Sequence, residues 1–254
     1  MKHKFLIFCA VAITFFGSGI TFGQEAEENS EKVSLSVDVA NSFIWRGLAN
    51  NTLPVVQPSI TFSPDSRVSF GLWASTPLVI DWEQPRELDI FIDFQIAPFL
   101  TLNITDYYVY CETADLDWPS PDYSNSYFNL KKGKTRHAFD VQLIFASDNT
   151  PFKALVSTIF AGDDLNDKGK NNFSTYFEVG YGKTSKYVDW ELFAGMVPMS
   201  SGFYGIDNAN VVNLGFAVSK SFQITPTYSL PLALKFTVNP AIEAAYFSAV
   251  FSLF

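Results

Sequence analysis

Histidine and cysteine are almost missing: two of each in 254 residues. Charge is also thin, at 17% Asp, Glu, Lys and Arg together. The first 23 residues have the form of an export signal. Lys2 and Lys4 lead, Phe5 to Phe16 is almost wholly apolar, and Thr21 and Gly23 precede Gln24. Cleavage near Gly23 is expected to remove His3 and Cys9, leaving His137 and Cys111 as the single residues of their kinds. One cysteine cannot close an intrachain disulfide. One imidazole falls short of the several nitrogen or sulfur ligands that a zinc site uses, so no metal or other cofactor is expected. Losing two lysines and no acid takes the formal net charge from −9 to −11. Nucleic acid is thereby excluded as a partner, because a phosphate binder presents a basic face.

Long apolar runs are missing too. The run in the signal is shorter than the ~20 residues of a spanning helix. Aromatics, by contrast, reach 17%, with 26 Phe. Low charge, many aromatics and no spanning helix suit a chain that meets lipid with strands.

What the chain does have is alternation. Val33, Leu35, Val37, Val39, Phe43 and Trp45 share one face of a strand, and Ser34, Ser36, Asp38, Ala40, Ser42 and Arg46 the other. The pattern recurs over 54–62, 68–76, 87–96, 100–111, 135–147, 152–161, 172–182, 187–197, 210–222, 229–238 and 242–254. Twelve strands of this length fit the ~9–11 residues needed to cross a bilayer at a tilt, and single-chain bacterial barrels have even strand numbers. Every second connection is short: 64–67, 97–99, 148–151, 183–186 and, slightly longer, 223–228. Most others are long: 77–86, 112–134, 162–171 and 198–209. A soluble β-sandwich has no reason to alternate this way. The expected fold is therefore all-β: an antiparallel up-and-down barrel of the outer membrane over 33–254, after a signal (1–23) and an acidic periplasmic lead (24–32). Outer-membrane lipid and the barrel-assembly machinery are its expected partners, with Phe254 as the terminal aromatic insertion signal.

Several segments carry a family resemblance: Phe43-Ile44-Trp45-Arg46-Gly47, Gln57-Pro58, Gly71-Leu72-Trp73-Ala74-Ser75 and Glu87-Leu88-Asp89. An aromatic-Arg-Gly near the end of the first strand and a Gly-x-Trp-x-Ser in the third resemble the opening half of the bacterial outer-membrane family called Gcw_chp. The second half, from Phe177 to Tyr181 and from Leu230 to Phe254, is similar only to the general pattern of outer-membrane proteins from Bacteroidetes-like bacteria. The resemblance implies an exported barrel and brings no catalytic residue.

If the apolar faces look at lipid, the lumen holds Asp38, Arg46, Asp89, Asp93, Arg136, Asp140, Lys153, Glu178, Asp189, Glu191, Lys235 and Glu243. Two readings stand side by side. The acids form a pore wall that favours cations, or the lumen is a plug of ion pairs with Arg136, Lys153 and Lys235. Arg46 likewise either grips an anionic solute or pairs with Asp89, Asp93 or another lumen carboxylate. Asp106 and Lys220 fall on the lipid phase toward strand ends, where a polar head can reach the interface. His137 shares the lipid phase with Phe139 and Val141 and reads as an interfacial ring. No Gly-x-Ser-x-Gly accompanies it, which counts against a membrane-embedded hydrolase. The acidic stretch 163–169 reads as a solvated loop, since Thr175 stands where a calcium loop needs its closing Glu. Trp118, Tyr123, Tyr127 and Phe128 in the long loop 112–134 are candidates for outer binding. Trp45, Trp73 and Trp190 read as an interfacial girdle. The functional expectation is a passive, mildly cation-leaning channel for small solutes. The alternative is a non-conducting barrel acting through its outer loops.

Overall fold

The computed structural model describes residues 32–79, 84–111 and 126–253. The signal, nearly all of the acidic lead, Trp118, Tyr123 and Phe254 lie outside the described residues. Twelve antiparallel strands close a barrel: β1 (Val33–Ala40), β4 (Val55–Phe62), β5 (Val68–Pro77), β6 (Arg86–Ala97), β7 (Leu100–Tyr110), β8 (His137–Phe145), β9 (Phe152–Gly162), β10 (Thr175–Lys183), β11 (Asp189–Val197), β12 (Asn210–Thr225), β13 (Tyr228–Asn239) and β14 (Ala244–Ser252). Two further strands, β2 (Phe43–Trp45) and β3 (Leu48–Asn51), form a separate hairpin.

Period two sets the layers. Outward side chains such as Leu35, Leu72, Phe177, Leu192, Phe216 and Phe251 are exposed hydrophobics. Such a ring of bare Leu, Ile and Phe is far beyond the apolar patches that a water-facing surface carries, and it is what a bilayer solvates. Inward residues on the same strands are Asp38, Gln57, Asp89, Asn103, Asp140, Glu178 and Asn213, all buried. The short turns gather at one end with Val33 and Ser252, and the longer connections gather at the other. The chain is thus an outer-membrane barrel with its short turns on the periplasmic side.

The turn expected at 223–228 is tighter than the pattern suggests. β12 and β13 run on to pair Thr225 with Tyr228, leaving Pro226-Thr227 as the turn.

Closure rests on a short seam. β1 pairs β14 through Asp38↔Ser252, Val39↔Phe251 and Ala40↔Val250. Asn41 extends it with its side chain, which accepts from Ala249 N (2.7 Å) and donates to the Phe247 carbonyl (3.1 Å).

The first strand ends at Ala40, not near residue 46. Beyond Ser42 the chain leaves the wall and turns into the lumen as the β2–β3 hairpin. Phe43 and Ile44 are adjacent and both buried, 3% and 2% exposed. A wall strand would offer one of them to lipid; a strand enclosed by a barrel buries both.

Glu243 is also corrected. It caps a 3-10 turn (Pro240–Ile242) with φ 55 and is exposed at the outer rim. Proline ends β13 there, Asn239 accepts from Ala241 N at 3.1 Å, and β14 starts two residues later than the alternation suggests.

Candidate functional site

The hairpin turns on Arg46 (φ 47) and Gly47 (φ 83). Both central residues have positive φ, as a type I′ turn requires. A left-handed arginine costs roughly 1–2 kcal/mol, so the wall must hold it. A Cβ at Gly47 would stand 1.8 Å from the Val212 carbonyl oxygen, so the tip lies against β12 with no room for a side chain. Asn239 donates to the Gly47 carbonyl at 3.0 Å. Along β3, Asn50 donates to Glu87 (3.2 Å) and Asn51 to the Pro85 carbonyl (3.2 Å).

From that tip the Arg46 side chain crosses to the opposite wall. Nη1 donates to Ser157 Oγ (2.7 Å) and to the Tyr204 hydroxyl (2.8 Å). Nη2 donates to Asp140 Oδ2 (3.1 Å) and Gln142 Oε1 (3.2 Å). Its Cζ lies 4.4 Å from the Trp45 ring centre and 4.9 Å from that of Tyr176. Trp45, Tyr204 and Tyr176 are near parallel, each successive pair inclined by 10°. Tyr204 arrives from the outer loop 198–209, and burial pushes its phenol up to about 12, so it bonds Arg46 as a neutral hydroxyl.

A polar chain continues below. Gln142 Nε2 donates to Asn103 Oδ1 (2.9 Å) and to the Tyr107 hydroxyl (3.0 Å), and Asn103 Nδ2 donates to Asp93 Oδ1 (2.8 Å). On the adjoining wall Asn213 donates to Glu178 at 2.7 Å, and the Tyr176 hydroxyl also donates to Glu178. Lys153 pairs with Glu191 at 3.1 Å, and the Lys235 ammonium lies 4.7 Å from the Phe193 ring centre. Most polar groups of this network are partnered, as buried polar groups require, while Asp140 Oδ1 and Asn213 Oδ1 are buried without a hydrogen bond.

Of the residues expected in the lumen, Arg46, Asp140, Asp93, Glu178, Lys153, Glu191 and Lys235 are placed in these networks. Arg46 pairs with Asp140 rather than Asp89 or Asp93. Asp38 stands opposite Ser252 in the seam, and Asp89 lies on β6 two residues from Glu87, which accepts from Asn50 of the hairpin. Asp189 opens β11 at the short-turn rim, where it accepts from Ser185 N of the turn at 3.0 Å. Arg136 precedes β8 at the outer rim.

The girdle expectation fails for two of its three tryptophans. Trp45 sits inside the barrel against Tyr107 (5.4 Å) and Phe203 (6.0 Å). Trp73 is 7% exposed and packs on Phe43 at 5.2 Å. Trp73 lies on the inward phase of β5, and Trp45 is carried into the lumen by the hairpin, so each ring finds inside the barrel the apolar surroundings that lipid would have supplied outside. Trp190 lies on the outward phase with Leu192, near Tyr181 (5.7 Å).

His137 keeps the outward phase and stacks on Phe139 with the rings 10° apart. It is not open to lipid. Nδ1 meets Asp106 at 2.8 Å and Nε2 meets the Tyr127 carbonyl at 2.6 Å, so the ring ties loop to wall. Tyr127 covers it, while Phe128 is 90% exposed. The acidic stretch also differs from a solvated loop. Asp164 is buried and accepts from Ser174 N (2.8 Å) and Oγ (2.6 Å); burial holds its carboxyl above the usual range, while Ser174 pulls it down. Ser174 Oγ lies 2.6 Å from Ser201 Oγ, joining two outer loops.

Several residues at this centre were not anticipated. Gln142 shares the phase of Asp140, Ser157 that of Lys153, Tyr176 that of Glu178 and Glu87 that of Asp89, so alternation alone could have found them. Tyr204 lies in an irregular loop that offers no such signal.

No protein-family model and no curated protein matches the chain. Solved structures resemble its architecture. The NanC porin is 7% identical, with 86% of this chain and 98% of that chain covered and a TM-score of 0.44. The outer membrane protein opdK of Pseudomonas aeruginosa is 10% identical over 87% of this chain, with a TM-score of 0.39; the match spans 65% of opdK. Wzi of Escherichia coli, a carbohydrate-binding β-barrel involved in group 1 capsule assembly, is 10% identical over 79% of this chain and 51% of its own, with a TM-score of 0.32.

Proposed function

We propose that this barrel is a channel for small solutes whose opening requires the β2–β3 hairpin to leave the lumen. One observation carries the reading. Among the described residues, a polar, hydrogen-bonded lumen is stoppered by the short β2–β3 hairpin, whose tip reaches the far wall through the Arg46 side chain. The acids Asp38, Glu87, Asp89 and Asp93 that line β1 and β6 would then give the opened passage a mild preference for cations. Of the segments that carry the Gcw_chp resemblance, Phe43–Gly47 forms the hairpin itself, Trp73 packs on its Phe43 and Glu87 accepts from its Asn50. That convergence supports membership of that family and a shared stopper.

A second reading has its own observation. Asn103, Asp140, Asn213 and Thr237 are shut off from solvent, at 0–1% exposure. A barrel so filled in every state would be non-conducting and would act through its outer loops. Planar-bilayer recording separates the two. Discrete steps from the native protein, more frequent and cation-preferring after Arg46→Ala, support the channel. Silence from native and variant protein shown to be inserted supports the filled barrel.

A further inference from the structure

The wall that receives Arg46 is a finished binding site for a guanidinium group. Asp140 supplies a carboxylate, and Ser157, Gln142 and the Tyr204 hydroxyl supply neutral oxygens, all within 3.2 Å of the two terminal nitrogens. The Tyr176 ring supplies a π face. The Tyr107 hydroxyl donates to Asp140 Oδ2 at 3.3 Å and fixes that carboxylate from behind. Asp140, Ser157, Tyr204 and Tyr176 are each no more than 1% exposed, so the site lies out of water, where charge-assisted bonds are strong. Five of these six residues belong to the wall strands and the sixth to loop 198–209, so none travels with the hairpin.

We infer that this surface is the solute site of the barrel and takes a guanidinium-bearing small molecule, for which Arg46 is a tethered stand-in. As a statement about the solute it rests on the channel reading above. Once the hairpin withdraws, Asp140 faces an open lumen with no cation beside it. A planar cation with in-plane N–H donors can replace the whole bonding pattern of Arg46, whereas a tetrahedral ammonium cannot reproduce the paired geometry. Solute and hairpin then compete for one place: the solute holds the stopper out, and its departure lets Arg46 return.

The test empties the site and offers it two small cations of equal charge. Full-length Arg46→Ala protein is refolded in detergent with ethylguanidinium or with propylammonium. Ethylguanidinium is expected to raise the folded yield and the unfolding midpoint at low millimolar concentration, at least tenfold below any effect of propylammonium. Asp140→Asn in the same background abolishes the difference. Arg46→Gly, whose backbone accepts φ 47 without strain, repeats the experiment if the alanine variant folds poorly. Equal responses to both cations, or no response in either variant, overturn the site. The bilayer arm separates this result from the channel reading. Binding of ethylguanidinium without current in any variant supports the site and removes the channel. Current that neither cation blocks selectively removes the site and leaves the channel.

Discussion

Arg46 and Asp140 are 94 residues apart in sequence and 3.1 Å apart across the lumen, and neither side chain reaches water. A pair so placed contributes little as an attraction in isolation, because both ions have lost their hydration. Its energetic weight shows when one partner is removed and the other is left buried and alone. Arg46→Ala and Asp140→Ala should each destabilise the barrel by about 3–5 kcal/mol. The double variant should cost clearly less than their sum, with a coupling of roughly 1–3 kcal/mol. Urea titrations of the folded protein, read by tryptophan fluorescence, give the four corners of the cycle. Strict additivity would show that the two residues do not act as a pair.

Gly47→Ala tests the hairpin without touching a charge. The added Cβ, fixed rigidly to the backbone, meets the backbone carbonyl oxygen of Val212 at 1.8 Å. Neither can swing aside, and the left-handed φ of 83 adds roughly 1 kcal/mol for any side chain. The tip must lift from β12, drawing Arg46 from Asp140. Protease cleavage between residues 43 and 51 should become measurable in the folded variant and stay undetectable in the native barrel. Equal resistance in both would mean that the tip can tolerate the side chain.

Asn41→Ala addresses closure. β1 meets β14 over three paired residues, against eight where it meets β4. Asn41 adds two side-chain bonds just where β1 leaves the wall. Losing them strands the Ala249 N–H and should cost about 1–3 kcal/mol. The temperature at which the folded gel band is lost should fall, while Asn149→Ala in a periplasmic turn leaves it unchanged. A matching fall in both variants would deny the seam any special role.

The wall was readable because lipid is a one-sided solvent. Each of the twelve wall strands turns an apolar face to lipid, so period two located them, although it carried the first strand six residues past its end at Ala40. The interior was less readable for a physical reason. A lumen sealed by its own hairpin is a second buried environment, so Phe43, Trp45 and Trp73 satisfy a hydrophobic pattern without facing lipid. Alternation could place Asp140 and Gln142 on one face of β8, yet it carries no information on which residue reaches them from across the barrel. Tyr204 and the left-handed Glu243 depend on loop conformation, which pairwise periodicity does not encode.

The reassigned tryptophans provide a test of the whole inside-out arrangement. Trp190 projects outward beside Leu192, whereas Trp45 and Trp73 are enclosed with Tyr204 and Phe43. Single-tryptophan variants, with the other positions changed to Phe, can be refolded into vesicles of brominated lipid. Bromine quenches indole only near contact, so Trp190 fluorescence should fall by about half or more, while Trp45 and Trp73 should change little. Acrylamide, which samples water, should also leave Trp45 and Trp73 nearly untouched in the closed barrel. In the Arg46→Gly background it should reach Trp45, because that ring leaves the lumen with the hairpin, whereas Trp73 stays on β5 and remains out of lipid. Strong bromine quenching of Trp45 in the native protein would place the hairpin outside the barrel and remove the stopper together with the site beneath it.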